Sequence, residues 1–326
     1  MLSRRECLKL IATSVVAAPA FRVSPLRAAQ WPQRTVRLIV PASAASGTDF
    51  AARTFADALA ARWKQPVVVE NRPGADGLIA TTAFLGMYDD HAMMYSFAGP
   101  MSLLPVIHAS LSYDPRRDLV PISLGADTFV AFSAHASLNL GSLKEFVALA
   151  RSQPGKFNYY APSGALPYLL AGFLKSQNLD LVQIYYREQS RGLQDHAEGR
   201  IPFMLSVMTD RLPVVQSGHV NFLAVTNGTR AAMRPDVPTA VESGFPEFAF
   251  DGLAGFIGSR AMSADVIDRI SIDVRAVAAD HAVSDRLAVV GQLARGTTPA
   301  EFLEMIESQR AKIATIVQET GLRPQH

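Results

Sequence analysis

Val36-Arg37-Leu38-Ile39-Val40 runs into Pro41-Ala42-Ser43-Ala44-Ala45-Ser46-Gly47-Thr48-Asp49, and the fold turns on this stretch. The first five residues read as a strand buried on both faces. The small residues after it leave backbone N–H groups accessible. Phe50, Phe55, Ala58, Leu59 and Trp63 then recur at mostly helical spacing, which predicts a helix over 49–63. Strand, turn of small residues and amphipathic helix together make the repeating unit of an α/β fold.

The same alternation continues outward. Strands are expected at 36–40, 67–70, 93–97, 129–133, 157–160, 182–186, 203–207, 222–226 and 248–257, all rich in Val, Ile, Phe and Tyr. Several are apolar throughout, so mainly parallel sheets are expected. Helices are expected at 142–151, 164–177 and 190–198. Ser142-Leu143-Lys144-Glu145 reads as a capping box, with Ser142 accepting from the Glu145 N–H and the Glu145 carboxylate reaching back. The last quarter turns helical, over 265–279, 284–290 and 298–320. Thr298-Pro299-Ala300-Glu301 opens the last of these with a cap, an N1 proline and a third-position Glu, and Leu303, Ile306, Ile313 and Ile316 share one side.

Three strand-to-helix turns have the layout of ligand loops. The first is Pro41 to Asp49, with Ala44, Ala45, Ser46, Gly47, Thr48 and Asp49 at the start of the helix. The second is Ala161-Pro162-Ser163-Gly164-Ala165-Leu166, and the third Ala98-Gly99-Pro100-Met101-Ser102. Free N–H groups and the dipole at a helix start favour an anion. Ligands in such sheets bind at the carboxyl ends of strands. Each turn alone also reads as an ordinary βα connection with a Ser, Thr or Asp cap. Glu70-Asn71-Arg72-Pro73-Gly74-Ala75-Asp76-Gly77 is a dense turn that reads as structural, with Glu70 and Arg72 able to pair. Tyr113 to Leu119 is a charged surface turn. Tyr185 and Tyr186 end a strand, where they can stack on a ligand or pack in the core.

The chain opens with Ser3-Arg4-Arg5-Glu6-Cys7-Leu8-Lys9, an apolar run from Leu10 to Phe21, and Pro25 to Gln30. A charged start, a short apolar centre and a small-residue exit are the pattern of a secretory leader, here over 1–29. The paired arginines match the twin-arginine form, and an ordinary signal with two chance arginines is the alternative. Cys7 leaves with this leader, which removes thiolate catalysis and disulfides from the remaining chain. Of the 326 residues 49% are hydrophobic and 18% charged, with a formal net charge of +2. That is a globular composition, long enough for one large or two ordinary domains. A charge so near zero makes no electrostatic case for nucleic acid.

Catalytic motifs are absent from the sequence: no H-E-x-x-H, G-x-S-x-G, G-x-G-x-x-G or P-loop occurs. The seven histidines are scattered without metal-ligand spacing, so no metal or cofactor is expected. Asp195 beside His196 is the one acid–base cluster, and a solvated helix face explains it as well. Ser163 has no nearby His or Lys to activate it. Three anion-friendly loops in an exported chain without catalytic groups point to a binding protein for a small anion.

Val40-Pro41, Gly47-Thr48-Asp49 and Arg53, followed by Gln65-Pro66-Val67-Val68-Val69-Glu70-Asn71-Arg72-Pro73-Gly74-Ala75, resemble the Bug family. These are periplasmic solute-binding receptors of tripartite tricarboxylate transporters. The likeness continues through Tyr113-Asp114-Pro115, Pro154-Gly155-Lys156-Phe157-Asn158-Tyr159, Pro235-Asp236-Val237-Pro238-Thr239 and Glu242-Ser243-Gly244-Phe245-Pro246. The resemblance implies a type II periplasmic binding protein, with one lobe from 30–128 plus 248–326, a second from 129–247, and crossing strands at 129–133 and 248–257. It further implies a monomeric periplasmic receptor that holds a small organic carboxylate between its lobes and hands it to membrane components of the transporter. An exported hydrolase using Ser163 or Asp195/His196, or a sensor for a signalling partner, remain alternatives.

On this reading the backbone of Ala44 to Thr48 and of Ser163 to Ala165 holds carboxylate oxygens, Thr48, Ser163 and Ser206 add hydroxyls, and Tyr186 forms a wall. The sequence departs from the family where the ligand would lie. Ala42 to Ser46 replace much of a Pro- and Gly-rich loop, Leu104 replaces an Asn, Leu205-Ser206 replace Phe-Asp, and Asp76 stands at a second glycine. Side chains in place of glycines narrow a pocket and make it less polar. A ligand smaller or more apolar than citrate is therefore expected.

Overall fold

A computed structural model describes residues 31–322 apart from Ser163. The leader over 1–29, Ser163 and the last four residues lie outside the described residues. The first sheet takes β1 (Val36–Val40), β2 (Val67–Asn71), β3 (Ala92–Phe97) and β4 (Leu119–Thr128). Helix α1 (Gly47–Trp63) joins β1 to β2, and α2 (Leu78–Met87) precedes β3. The chain then passes into a second sheet. Its elements are β5 (Val130–His135), α3 (Leu143–Ser152), β6 (Asn158–Tyr160), α4 (Leu166–Ser176), β7 (Val182–Gln183), α5 (Gln189–Ala197), β8 (Phe203–Val207) and β9 (Val220–Val225). It returns to the first sheet through β10 (Gly252–Ser259), α6 (Ala264–Ala278), α7 (His281–Val289), β11 (Gln292–Ala294) and α8 (Pro299–Thr320). The strand orders are β11-β4-β10-β3-β1-β2 and β7-β6-β8-β5-β9.

Both sheets are mixed, which corrects the expectation of mainly parallel pairing. The pairs β1–β2, β1–β3, β6–β7 and β6–β8 are parallel. Those among β3, β4, β10 and β11, and those of β5 with β8 and β9, are antiparallel. Helical crossovers make the parallel pairs. The antiparallel ones arise because β4 and β5 pass between sheets with only Phe129 separating them, and β10 comes back the other way.

Strand β4 lay unseen in the sequence because Pro121, Gly125 and Asp127 interrupt its apolar pattern. Pro121 is tolerated at an irregularity, where the register against β10 shifts between Phe256 and Ile257. The expected strand over 248–257 begins instead at Gly252. Phe248, in the 3-10 turn Pro246–Phe248, stacks on Phe173 at 4.2 Å in the second core. Gly255 on β10 allows a close approach: a Cβ there would stand 2.6 Å from the Ser123 carbonyl oxygen and 2.7 Å from the Phe302 ring.

Each sheet has its own core. Phe84, Met94, Ile257, Phe302 and Ile306 belong to the first, and Phe132, Phe146, Phe173, Phe203 and Phe248 to the second. Helix α8 serves both. Phe302 and Ile306 enter the first core, while Ile313 and Ile316 enter the second. Burying a side chain of this kind contributes about 1.5–3 kcal/mol, so α8 fastens the two halves at its two ends. Its Thr298 capping box forms as read, with Glu301 N–H donating to Thr298 Oγ1 at 3.3 Å and Thr298 N–H to Glu301 Oε2 at 2.8 Å. Leu303, expected on the buried side, is 41% exposed, and Phe302 takes that place. At α3, Ser142 caps Glu145 as expected, but the Glu145 carboxylate takes the Gly141 N–H at 2.7 Å, not that of Ser142.

Candidate functional site

The parallel strands of both sheets end at one cavity of about 990 Å3, the upper part of the range for small-molecule sites. One wall comes from the turns after β1, β2 and β3, the facing wall from the turn before α4 and the end of β8. The floor is the strand crossing at Thr128, Val130, Phe250 and Gly252. Asn227 stiffens that crossing. Its side chain donates to the Thr128 carbonyl and accepts from the Val130 N–H, both at 3.0 Å, so it bridges the residues flanking Phe129. Thr226 and Phe250 bond reciprocally beside it, Phe250 N–H to Thr226 O at 2.7 Å and Thr226 Oγ1 to Phe250 O at 2.8 Å.

The turn after β1 is braced from within. Ser46 caps α1 by accepting from the Asp49 N–H at 3.2 Å. The Asp49 side chain folds back, 3% exposed, and accepts from the Ala45 N–H at 2.9 Å, Asn71 Nδ2 at 2.8 Å and Arg53 Nε at 3.0 Å. Asn71 also donates to the Ala42 carbonyl at 3.0 Å, tying the turn to the end of β2. Burial pushes the Asp49 carboxyl up, but Arg53, Asn71 and the Ala45 N–H together hold it below the usual range. Asp49 is therefore a structural anchor. The Ala45 and Ser46 N–H groups are spent inside the turn, the latter on Ser43 O at 3.3 Å. Ser46, Gly47 and Thr48 line the cavity; Ala44, Ala45 and Asp49 do not.

Across the cavity, Gly164, Ala165 and Leu166 line the wall, and the N-cap residue Ala165 gives α4 no side-chain cap. Here the protein supplies an anion from the other side. Gly164 N–H donates to Asp76 Oδ1 at 3.0 Å. In the turn after β3, Gly99 and Ser102 line the cavity. Ser102 Oγ lies 2.7 Å from Gln309 Oε1 of α8. Met101 turns into the first core, and its carbonyl accepts from Arg310.

Two further expected residues face elsewhere. The Tyr186 hydroxyl donates to Asp195 at 2.6 Å and its ring meets Tyr160 at 5.1 Å. Burial and the Asp195 carboxylate hold its phenol up at about 12. Ser206 is fully buried and its hydroxyl donates to the Val207 carbonyl. Neither lines the cavity. Nor do Asp195 and His196. His196 is buried with Nε2 3.0 Å from Ser133 Oγ and Nδ1 2.7 Å from the Ile201 carbonyl, and burial lowers it to about 4. Asp195 is held by Arg200 at 2.6 Å.

Besides Asp76, marked in the sequence as standing at a second glycine, the wall holds residues that the sequence did not single out: Thr128, Gln189, Asp210, Gln292 and Gln309. None carries a motif, and each arrives from a distant element. Among the described residues, the charged side chains of the wall are Asp76 and Asp210, with no Lys, Arg or His. Burial raises the Asp210 carboxyl, which also accepts from Gln189 Nε2 at 3.1 Å. Phe97, Leu103, Leu166, Val207, Val289 and Val290 make much of the surface apolar.

The family described as "Tripartite tricarboxylate transporter family receptor" matches residues 51–322. Protein BugT of Bordetella pertussis is 27% identical over 96% of this chain and 95% of its own. Two solved structures share the fold. The Rhodopseudomonas palustris protein Rpa4515 with adipate has a TM-score of 0.79 at 23% identity, over 90% of this chain and 100% of that one. MatC of the same organism, with bound malate, has a TM-score of 0.74 at 23% identity, over 88% and 100%.

Proposed function

The chain belongs to the receptor family of tripartite tricarboxylate transporters, and from that premise we propose that it captures a small organic carboxylate in the cavity between its sheets and delivers it to transporter membrane components. One observation carries the reading. Helices α1 and α4, from opposite sheets, present their N-termini to the same cavity, and the described wall has no cationic side chain. Peptide N–H groups of Gly47, Thr48 and Ala165 then do the binding, with help from the helix dipoles, while the Gly164 N–H is held by Asp76. The adipate and malate of the two solved neighbours support this ligand class. The apolar wall supports an acid with a hydrocarbon body.

The lobes would close on the ligand about the crossings at Phe129 and Phe250, with Asn227 keeping the strands in register. The receptor works in the periplasm, as the family and the expected leader imply. Among the described residues no helix is long and apolar enough to cross a membrane. Asp195 and His196 are committed to structural partners away from the cavity, which favours binding over hydrolysis.

Gly47→Pro is the direct test. Gly47 is the first residue of α1, its surroundings are open, and Ser46 before it is extended at φ −74° and ψ 163°. Proline fits there and deletes one N–H. A hydrogen bond to a charged acceptor contributes about 1.5–3 kcal/mol, so calorimetry should show Kd rising roughly ten- to a hundredfold at unchanged melting temperature. An unaltered Kd would remove the α1 amides from the site. A panel of organic acids in which none raises the melting temperature would end the receptor reading.

A further inference from the structure

We propose, on the basis of the carboxylate-receptor reading, that Asp76 determines specificity: its carboxylate takes the place of a second ligand carboxylate at the start of α4, so the protein selects acids with one carboxylate against acids with two. The Gly164 N–H is one of the donors that the α4 end of the cavity can offer an anion, and Asp76 Oδ1 already occupies it at 3.0 Å from the opposite wall. The turn that carries Asp76 is positioned by the other cavity loops. A Cβ on Gly77 would lie 3.3 Å from Pro100 and 3.5 Å from Pro41. Asp76 itself holds φ 49° and ψ 30°, directly after Ala75 at φ 47°. Two successive L residues in the left-handed region are disfavoured, and the neighbouring loops hold them there.

An independent observation at the cavity floor agrees. Thr128 and Gln292 are cross-strand partners on β4 and β11, 1% and 4% exposed, and both line the cavity. Thr128 Oγ1 and Gln292 Oε1 have no hydrogen-bond partner among the described residues. Gln292 Oε1 can only accept. A neutral or cationic donor on the ligand satisfies it, whereas a carboxylate, although Thr128 Oγ1 could donate to it, would still set two acceptors face to face at Gln292. With Asp76 and Asp210 on the wall and no cation among the described wall residues, a second negative charge meets repulsion at either end.

The test uses matched acids on the purified full chain: hexanoate and adipate, butyrate and succinate, benzoate and terephthalate. Calorimetry and thermal shift are run on the wild type, Asp76→Gly and Asp76→Asn. Glycine accepts φ 49° freely and asparagine tolerates it, so both variants should fold, which a melting curve checks. The wild type should prefer the monoacid of every pair it binds by about tenfold or more. Both variants should narrow that gap by about tenfold, Asn by removing charge and Gly by vacating the Gly164 amide. A wild type that prefers diacids, or a gap that neither variant changes, overturns the proposal while leaving the receptor reading in place. Failure of wild type and variants to bind any acid overturns both.

Discussion

The turn before α1 and the turn before α4 face each other across one cavity and are held in opposite ways. Asp49 braces the first from inside, buried and bonded to Ala45, Arg53 and Asn71. Among the described residues nothing comparable holds the second. Its one described side-chain bond is the exposed contact from Gly164 to Asp76 on the other wall. A buried carboxylate with several charge-assisted bonds preorganises a loop at all times. A lone exposed bond between walls exists only while the walls are close. On the proposed closure, the first turn is then the fixed half of the site and the second the half that completes it.

Three measurements break or sharpen that contrast. The largest effect lies in the sheet that carries the second turn, where His196 on α5 joins Ser133 on β5 to the Ile201 carbonyl. Burial lowers His196 to about 4, while the unfolded ring keeps its ordinary value near 6.5. Between these values the unfolded chain binds more protons than the folded one, so stability is complete above about pH 6.5 and falls as pH drops toward 4. The loss should reach about 3 kcal/mol in urea titrations at stepped pH. His196→Gln should flatten that interval. A slope equal to the wild type's would show that another group is responsible.

Next in size is Asp49→Ala. It orphans the Ala45 N–H and leaves Asn71 and Arg53 without their shared partner, at a cost of about 2 kcal/mol. The urea midpoint should fall with the m-value kept, and ligand affinity should fall with it because Gly47 and Thr48 lose their support. If affinity is untouched, the brace is not what preorganises the site. Asn227→Ala is the smallest, about 1 kcal/mol, from the two bonds that flank Phe129. It should act on closure more than on either loop, so ligand association should slow in stopped flow. Equal rates would place the bending elsewhere.

Much of the fold was legible in the sequence, for identifiable reasons. Strand 36–40 and the helix after it follow from an apolar run and a 3.6-residue period, and the caps at Ser142 and Thr298 from local chemistry. The lapses have physical causes too. β4 hid behind Pro121, Gly125 and Asp127, which a strand tolerates only because β10 and β11 flank it. The residues expected over 182–186 form a strand only at Val182–Gln183, and Tyr186 leaves to meet Asp195.

Of the site, the small-residue turns were visible because accessible backbone needs small side chains, and Ser46, Gly47, Thr48, Gly99, Ser102, Gly164, Ala165 and Leu166 do line the cavity. Asp49, Met101, Tyr186 and Ser206 have the right chemistry but spend it on neighbours. Local periodicity, capping and turn chemistry depend on residues a few positions apart, so the chain alone determined the α/β alternation, the helix starts and the places where backbone could meet an anion. Which polar groups remain available depends on contacts between residues far apart, such as Asp76 with Gly164 and Gln292 with Thr128. Those were decided only when the two sheets came together, because burial and hydrogen-bond partners are properties of the packed molecule.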